Sequence, residues 1–362
     1  MNKQNQKGGD NSENLQAAGN ITKNYYIGAS KDEVKQIALQ VFETNFYKLT
    51  NEAHSIAFQR AEEITNKIIH RLWQKLPSGF NAASDPDFQY ILYSAQRDFA
   101  RTGDRNIGDL LVDLIIERCK SPDRSIRQII CDEALEILPK ISQEMINILG
   151  IVFFFRHYYG ETTIDKSSIS RYPNIEETSL SKHLNKYVMP FGIPIYAGYY
   201  LYKHLETTSC CTFTEQREKS LVEIIKGRLQ GYFQAGFTQD EIDETGLSKD
   251  MQKRLIIPCL NDTNKLQVNA VSLIQLSLKK SELNLTKEDK SAIDFLFENR
   301  TLYDSDIMTK CANSAPYMKN IFELWSQTEL GKVNLTSNGI AIGHASLKKH
   351  VEDIPDLEYW IR

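Results

Sequence analysis

The chain has 362 residues, of which 41% are hydrophobic and 25% charged, with a formal net charge of −4. These proportions belong to a globular protein with enough chain for two domains or one large helical body. The slight acidity gives no broad basic footprint for nucleic acid or anionic lipid, so the sequence carries no strong nucleic-acid signal, and nothing in it demands a local basic patch.

Residues 1–29 are polar and show no helix period. The first twenty contain no apolar core, so no signal peptide is expected and the location reads as cytoplasmic. From Lys31 the character changes. Val34, Ala38, Val41, Asn45, Leu49, Ala53, Ile56, Arg60, Ile64, Ile68 and Leu72 recur every three or four residues, one face of a helix. Ser30 and Glu33 make a capping box at its start, and Pro77-Ser78-Gly79 closes its end. Residues 30–77 therefore predict a very long N-terminal helix, about 69 Å if uninterrupted, serving as a stalk or coiled-coil partner. That face is broken by polar members at Asn45 and Arg60, and a break near Thr50-Asn51 is the conservative alternative to so long a helix.

Residues 84–160 predict a helical bundle, with helices over 85–100, 107–120, 125–138 and 142–159 joined by short connections. Residues 160–177 are poor in large apolar groups and read as a boundary or loop. The region 178–362 is predicted mainly helical, with helices over 213–235, 248–255, 287–299, 315–329 and 337–350. Within it LIIPCLNDTNKLQVNAV predicts a small hairpin near 255–270, turning at Asn261-Asp262-Thr263-Asn264. The expected fold class is thus mainly α: a helical bundle with a very long N-terminal helix, one small β-hairpin and a flexible N-terminal tail.

Two apolar stretches, MINILGIVFFF at 145–155 and YVMPFGIPIYAGYYLY at 187–202, fall short of the roughly 18–20 residues of a spanning helix. Both read as buried core, which leaves membrane contact a secondary expectation.

Familiar catalytic chemistry is absent from the pattern. There is no phosphate loop, G-x-G-x-x-G, H-E-x-x-H or G-x-S-x-G. The six cysteines, Cys119, Cys131, Cys210, Cys211, Cys259 and Cys311, form no C-x-x-C pair and read as reduced, buried thiols. The acidic run Asp240-Glu241-Ile242-Asp243-Glu244 lacks alternating oxygen ligands and reads as a turn or helix start. The seven histidines are scattered, and His157 within FFFRHYY reads as a core histidine. No catalytic residue, metal ligand or cofactor is assigned. Near the C-terminus, Thr336 is a good N-cap, and Gly339 and Gly343 lie four apart where another backbone can approach. Trp360 is placed to pin the terminus.

The tail carries its own pattern. Gln6, Gly9, Asp10, Ser12 and Asn14 are answered ten residues on by Gln16, Gly19, Asn20, Thr22 and Asn24, sharing Q-x-x-G-[DN]-x-[ST]-x-N. Repetition at a fixed period marks stacked units. In the second copy Leu15, Ala17, Gly19 and Ile21 alternate with polar or small neighbours, the period of a strand with one drier face. Two such strands alone bury too little to offset their ordering entropy. Stacked across many chains, Gln and Asn form amide ladders and every backbone group finds a partner. The tail is expected to be disordered alone and ordered in an assembly, through Gln6, Gly9, Asp10, Asn14, Leu15, Gln16, Ala17, Gly19, Asn20, Ile21 and Asn24.

The stretch LQAAGN at 15–20, within GGDNSENLQAAGNI, resembles the RIP homotypic interaction motif, and more closely the bacterial RHIM-like tails of antiphage and cell-death proteins. It departs from the animal pattern in having Ala17-Ala18 where a single β-branched residue precedes the glycine. The resemblance implies amyloid-like homotypic assembly, with itself or with a protein bearing a similar tail, in bacterial defence signalling. The body, including GDRNIGDLLVDLIIERC and LTSNGIAIGHASLKK, is similar to a bacterial family without an assigned activity, and no catalytic residue is carried over from it. The competing readings are a structural helical adaptor with a disordered tail, a membrane-disrupting effector using the apolar segments near Phe153 and Phe191, and an enzyme whose site is assembled from distant residues.

Overall fold

The computed structural model describes residues 30–46, 49–76, 86–120, 124–158, 160, 175–191, 198–215 and 219–362. The long N-terminal helix is not formed. In its place stand α1 (Lys31–Asn45) and α2 (Asn51–Lys75), separated at Phe46 and Thr50, both in extended backbone. The break falls at the alternative position, Thr50-Asn51, just after the polar Asn45, whereas Arg60 lies within α2. Asn45 donates its side-chain amide back to the Val41 carbonyl (2.8 Å). Phe42 and Phe46 then gather with Ala57 and Ala61, while Lys35 reaches Glu62 at 2.8 Å. Folding α1 back on α2 in this antiparallel sense buries Phe42 almost completely, which a straight stalk would leave in water. The stalk and coiled-coil expectations are corrected accordingly. The second interrupting residue also has a use: Arg60 donates to the carbonyls of Ala100 and Arg101 at the end of α3 (Pro86–Thr102).

The bundle continues through α4 (Arg105–Cys119), α5 (Ile126–Ile137) and α6 (Gln143–Phe153). Side-chain caps from Asp104, Ser125 and Ser142 start these three helices, so their beginnings follow from local chemistry. Past Phe153 the helix widens into a π turn over Phe154–Tyr158. The apolar stretch Met145–Phe155 lies in the middle of the core, with Phe153 fully buried.

Beyond the bundle come α7 (Ile175–Tyr187), α8 (Tyr199–Thr207), β1 (Cys211–Phe213) and α9 (Leu221–Arg228). The helix expected over 213–235 is therefore a correction. Residues 211–213 pair antiparallel with β4 (Val333–Leu335), Cys211 opposite Leu335, and α9 begins only at the Ser220–Glu223 capping box. Of the boundary or loop expected at 160–177, residues 161–174 lie outside the described residues, and 175–177 already belong to α7.

A second, smaller core forms from α10 (Gln239–Glu244), α11 (Lys249–Leu255), the hairpin β2 (Ile256–Pro258) with β3 (Leu266–Val268), α12 (Leu273–Ser281) and α13 (Lys287–Glu298). Phe237, Met251, Val268, Ile293 and Phe297 fill it. The hairpin is the expected one. Its turn residue Asn261 donates to the carbonyls of Tyr232 and Gln234 and ties the smaller core to the larger. Helices α14 (Asp304–Ser314) and α15 (Met318–Gln327) return the chain to the main body.

The last helix, α16 (Ser337–Lys348), runs between α4, α5 and α6 and is buried along most of its length. Its glycines account for the closeness. A Cβ at Gly339 would stand 1.9 Å from the Cys210 carbonyl oxygen, and one at Gly343 would stand 2.8 Å from that of Leu149. Gly339→Ala is expected to lower unfolding stability by about 1–3 kcal/mol, because a backbone oxygen cannot rotate away. Urea unfolding beside Gly198→Ala, whose added methyl meets nothing within 4 Å, checks this. Equal losses in the two variants would disprove it.

Candidate functional site

The residues expected to carry assembly, from Gln6 to Asn24, lie outside the described residues. The described residues open at the N-cap of α1. Ser30 accepts from the Glu33 amide and Glu33 accepts from the Ser30 amide (2.7 Å), the reciprocal box expected, and Val34 is the first buried residue of α1.

Two clefts stand out among the described residues. The larger, about 740 Å³, is rimmed by Phe237, Glu241, Lys287, Glu288, Phe295 and Arg300. Arg300 sits in left-handed backbone (φ 58°), with its guanidinium 4.7 Å from the Phe237 ring centroid and 2.6 Å from Glu241. The other Glu241 oxygen closes the N-cap of α10 at Thr238 (2.8 Å). The Arg300 hydrogen bond, with that cap, brings the Glu241 carboxyl down to about 2. Glu241 and Arg300 are thus engaged with each other, and the acidic run is a helix start.

The second cleft, about 420 Å³, lies where the two cores meet. One wall is α12, with Ile274, Gln275 and Leu278; the opposite wall is the C-terminal segment, with Pro355, Tyr359 and Trp360. The end of the π turn contributes His157 and Tyr158, and the end of α9 contributes Arg228 and Leu229. Trp360 donates to the His157 carbonyl (3.2 Å) and packs edge-on to Phe153, so it pins the terminus and forms part of the cleft. Arg228 donates to the Arg156 carbonyl (3.1 Å). Burial, with the nearby charges of Arg156 and Arg228, lowers the His157 pKa. Sequence reasoning singled out His157 and Trp360 but missed Arg228, Gln275, Ile274 and Leu278. The available signal was LIQLSLKK, whose apolar residues occupy two faces of one short helix.

A buried carboxylate and the vicinal cysteines are engaged in structure. Glu117, nearly inaccessible on α4, accepts from Lys348 (2.7 Å) and Lys120 (2.8 Å), and both lysines also reach Asp356. Burial alone would raise the Glu117 pKa, but the two ammonium groups hold it below the ordinary value. They bring Asp356 to about 2 against the same effect of burial. The vicinal pair Cys210-Cys211 is buried, and burial pushes the Cys211 thiol up to about 12, far from a ready nucleophile. Among the described residues no group of three or more His, Cys, Asp or Glu side chains converges in the manner of a metal site. Among the same residues no helix is long and apolar enough to cross a membrane.

A family model whose description reads only ":-like" matches residues 28–361. No curated protein and no solved structure matches. The matched segment takes in both clefts and the Glu117 ion pairs, and it leaves out every tail residue expected to carry assembly.

Proposed function

We propose that this chain, which belongs to the family whose model spans residues 28–361, is an interaction protein of bacterial defence signalling whose N-terminal tail assembles homotypically. The observation that carries this reading is the ten-residue echo Q-x-x-G-[DN]-x-[ST]-x-N, which lies wholly before the family segment. A pattern outside the body is free of the packing demands that shape the body. Its amides, small residues and strand alternation match the requirements of stacked, in-register strands. The capping box of Ser30 and Glu33 supports the division, because it supplies the start of α1 from residues within the family segment. Partners are then a second copy or a protein with a similar tail. The burial of Met145–Phe155 in the core weighs against the membrane-disrupting alternative.

The test compares sedimentation and thioflavin fluorescence of the full chain, a deletion of residues 1–24 and Gly19→Pro. The full chain is expected to form large thioflavin-positive particles, and both variants are expected to stay small. Proline removes a ladder hydrogen bond and is not accommodated inside a stacked strand. Equal sedimentation, with no fluorescence response in any of the three, would refute the proposal.

A further inference from the structure

The larger cleft carries an inference independent of the tail. All of its lining comes from residues 237–300, inside the continuous described stretch 219–362. Glu241 and Glu244 stand one turn apart on α10, and Glu288 and Phe295 stand two turns apart on α13, so each helix turns one face toward the cleft. Its volume of about 740 Å³ falls within the roughly 300–1,000 Å³ of small-molecule sites.

Arg300 shows what chemistry the cleft accepts. Its left-handed backbone (φ 58°) is fixed by the Ala235 amide, which donates to the Arg300 carbonyl (2.7 Å), and by the Leu302 amide, which donates to the Phe233 carbonyl (2.7 Å). Such a conformation is costly for a residue with a side chain and persists only where its neighbours enforce it. It places the guanidinium over the Phe237 ring and against Glu241, a cation held by a ring and a carboxylate together. The adjoining Phe295 ring lies 6.0 Å from that of Phe237 and is 50% exposed, whereas Phe237 is buried. Glu244 and Glu288 line the same space, both exposed, and neither has a hydrogen-bond or ion-pair partner among the described residues. Glu241 and Arg300 neutralise each other, so the remaining charges of the lining are these two carboxylates and the ammonium of Lys287. The balance is acidic, beside an exposed aromatic ring.

We infer that this cleft is a binding site for a small aromatic cation, an amidinium or guanidinium on a flat apolar body, whose body lies against Phe295 and whose charge faces Glu244 and Glu288. Burying apolar ligand surface against the Phe295 ring supplies the affinity, and charge-assisted hydrogen bonds to the carboxylates supply the preference for a cation.

The probe is 2-naphthamidine, titrated into the full chain and followed by calorimetry, beside 2-naphthamide and 2-naphthoate, which share its bicyclic body and differ in charge. Saturation at one naphthamidine per chain is expected. Naphthamide is expected to bind about tenfold more weakly, the worth of one charge-assisted hydrogen bond, and naphthoate more weakly still. The double variant Glu244→Gln, Glu288→Gln removes both carboxylates without breaking a contact in the fold. It is expected to abolish most of the preference for naphthamidine over naphthamide while leaving the urea midpoint unchanged. Phe295→Ala, at an exposed position, is expected to weaken naphthamidine severalfold. Deletion of residues 1–24 is expected to leave binding as it is. The inference is overturned by any of three results: no saturable binding of naphthamidine, naphthoate binding as tightly as naphthamidine, or a preference for naphthamidine that the double variant leaves intact.

Discussion

Replacing Lys348 by methionine is expected to lower the unfolding free energy by about 3 kcal/mol, the low end of the cost of breaking a buried ion pair. Lys348 is nearly as buried as the Glu117 carboxylate it meets at 2.7 Å. The methionine keeps the side-chain volume and removes the ammonium, leaving Glu117 with Lys120 as its remaining cation. Because Lys120 stays, the loss should not reach the upper end of that range. The double variant Glu117→Gln, Lys348→Met removes the stranded charge along with its partner, and it should recover most of the loss. Urea unfolding of the two single variants and the double variant measures this. If the double variant loses as much as the sum of the singles, the pair is not coupled and the account fails. The same contacts latch the C-terminus, since Asp356 accepts from both lysines and the Leu357 amide points to Glu117 (3.4 Å). Lys348→Met should therefore also raise proteolytic cleavage after residue 348.

Between pH 7 and pH 5 the protein is expected to lose about 2 kcal/mol of stability through His344 alone. His344 is fully buried on α16, and its Nε2 must carry the proton, because the Pro355 carbonyl it meets at 2.9 Å can only accept. Nδ1 is then a bare acceptor without a hydrogen-bond partner in the core. Burial is the main cause that brings the imidazole pKa down to about 4, with Lys348 and Lys120 adding to it against the opposing Pro355 bond and Glu117. The unfolded chain takes up this proton from about pH 6.5 downward, whereas the folded one does not until about 4. Stability is thus fully present above pH 6.5, falls across that interval, and stops falling below it. Burial shifts His157 and His350 in the same direction, so they add to the slope. Glu117 and Asp356, whose carboxyls are held low, contribute stability that is present above their unfolded values and lost as the pH drops further. His344→Gln retains a donor for Pro355 and cannot titrate. Urea midpoints at pH 7 and pH 5 should therefore differ distinctly less in the variant than in the parent. Identical pH dependence would show that His344 is not the group responsible.

Helix starts, the hairpin and the glycine face of α16 could be read from the residues because each is specified within a few positions. Ser30, Ser125, Ser142 and Thr336 bond to amides three residues on. Asn261-Asp262-Thr263-Asn264 turns the chain between short apolar runs, and Gly339 and Gly343 repeat at one helical turn. The long N-terminal helix was misread because the same apolar period fits one straight helix and two helices folded together. The decision lies with Phe42 and Phe46, which gain burial against α2 only when the chain turns back. Helix α12 escaped notice because its apolar residues lie on two faces, and a single-face period is what marks a helix in a sequence.

The tail echo belongs to the sequence by itself, since period and composition need no partner to be seen, and so do the caps, the turn and the mainly helical class. The tertiary structure alone decided the pairing of β1 with β4, the Glu117–Lys348 contact across 231 residues and the cleft walled by α12 and the C-terminal segment. Caps and periodicity act within one or two helical turns, where the chain itself holds the groups together. Strand pairing, buried ion pairs and clefts depend on which distant surfaces can exclude water from one another, and that is settled only when the whole core closes.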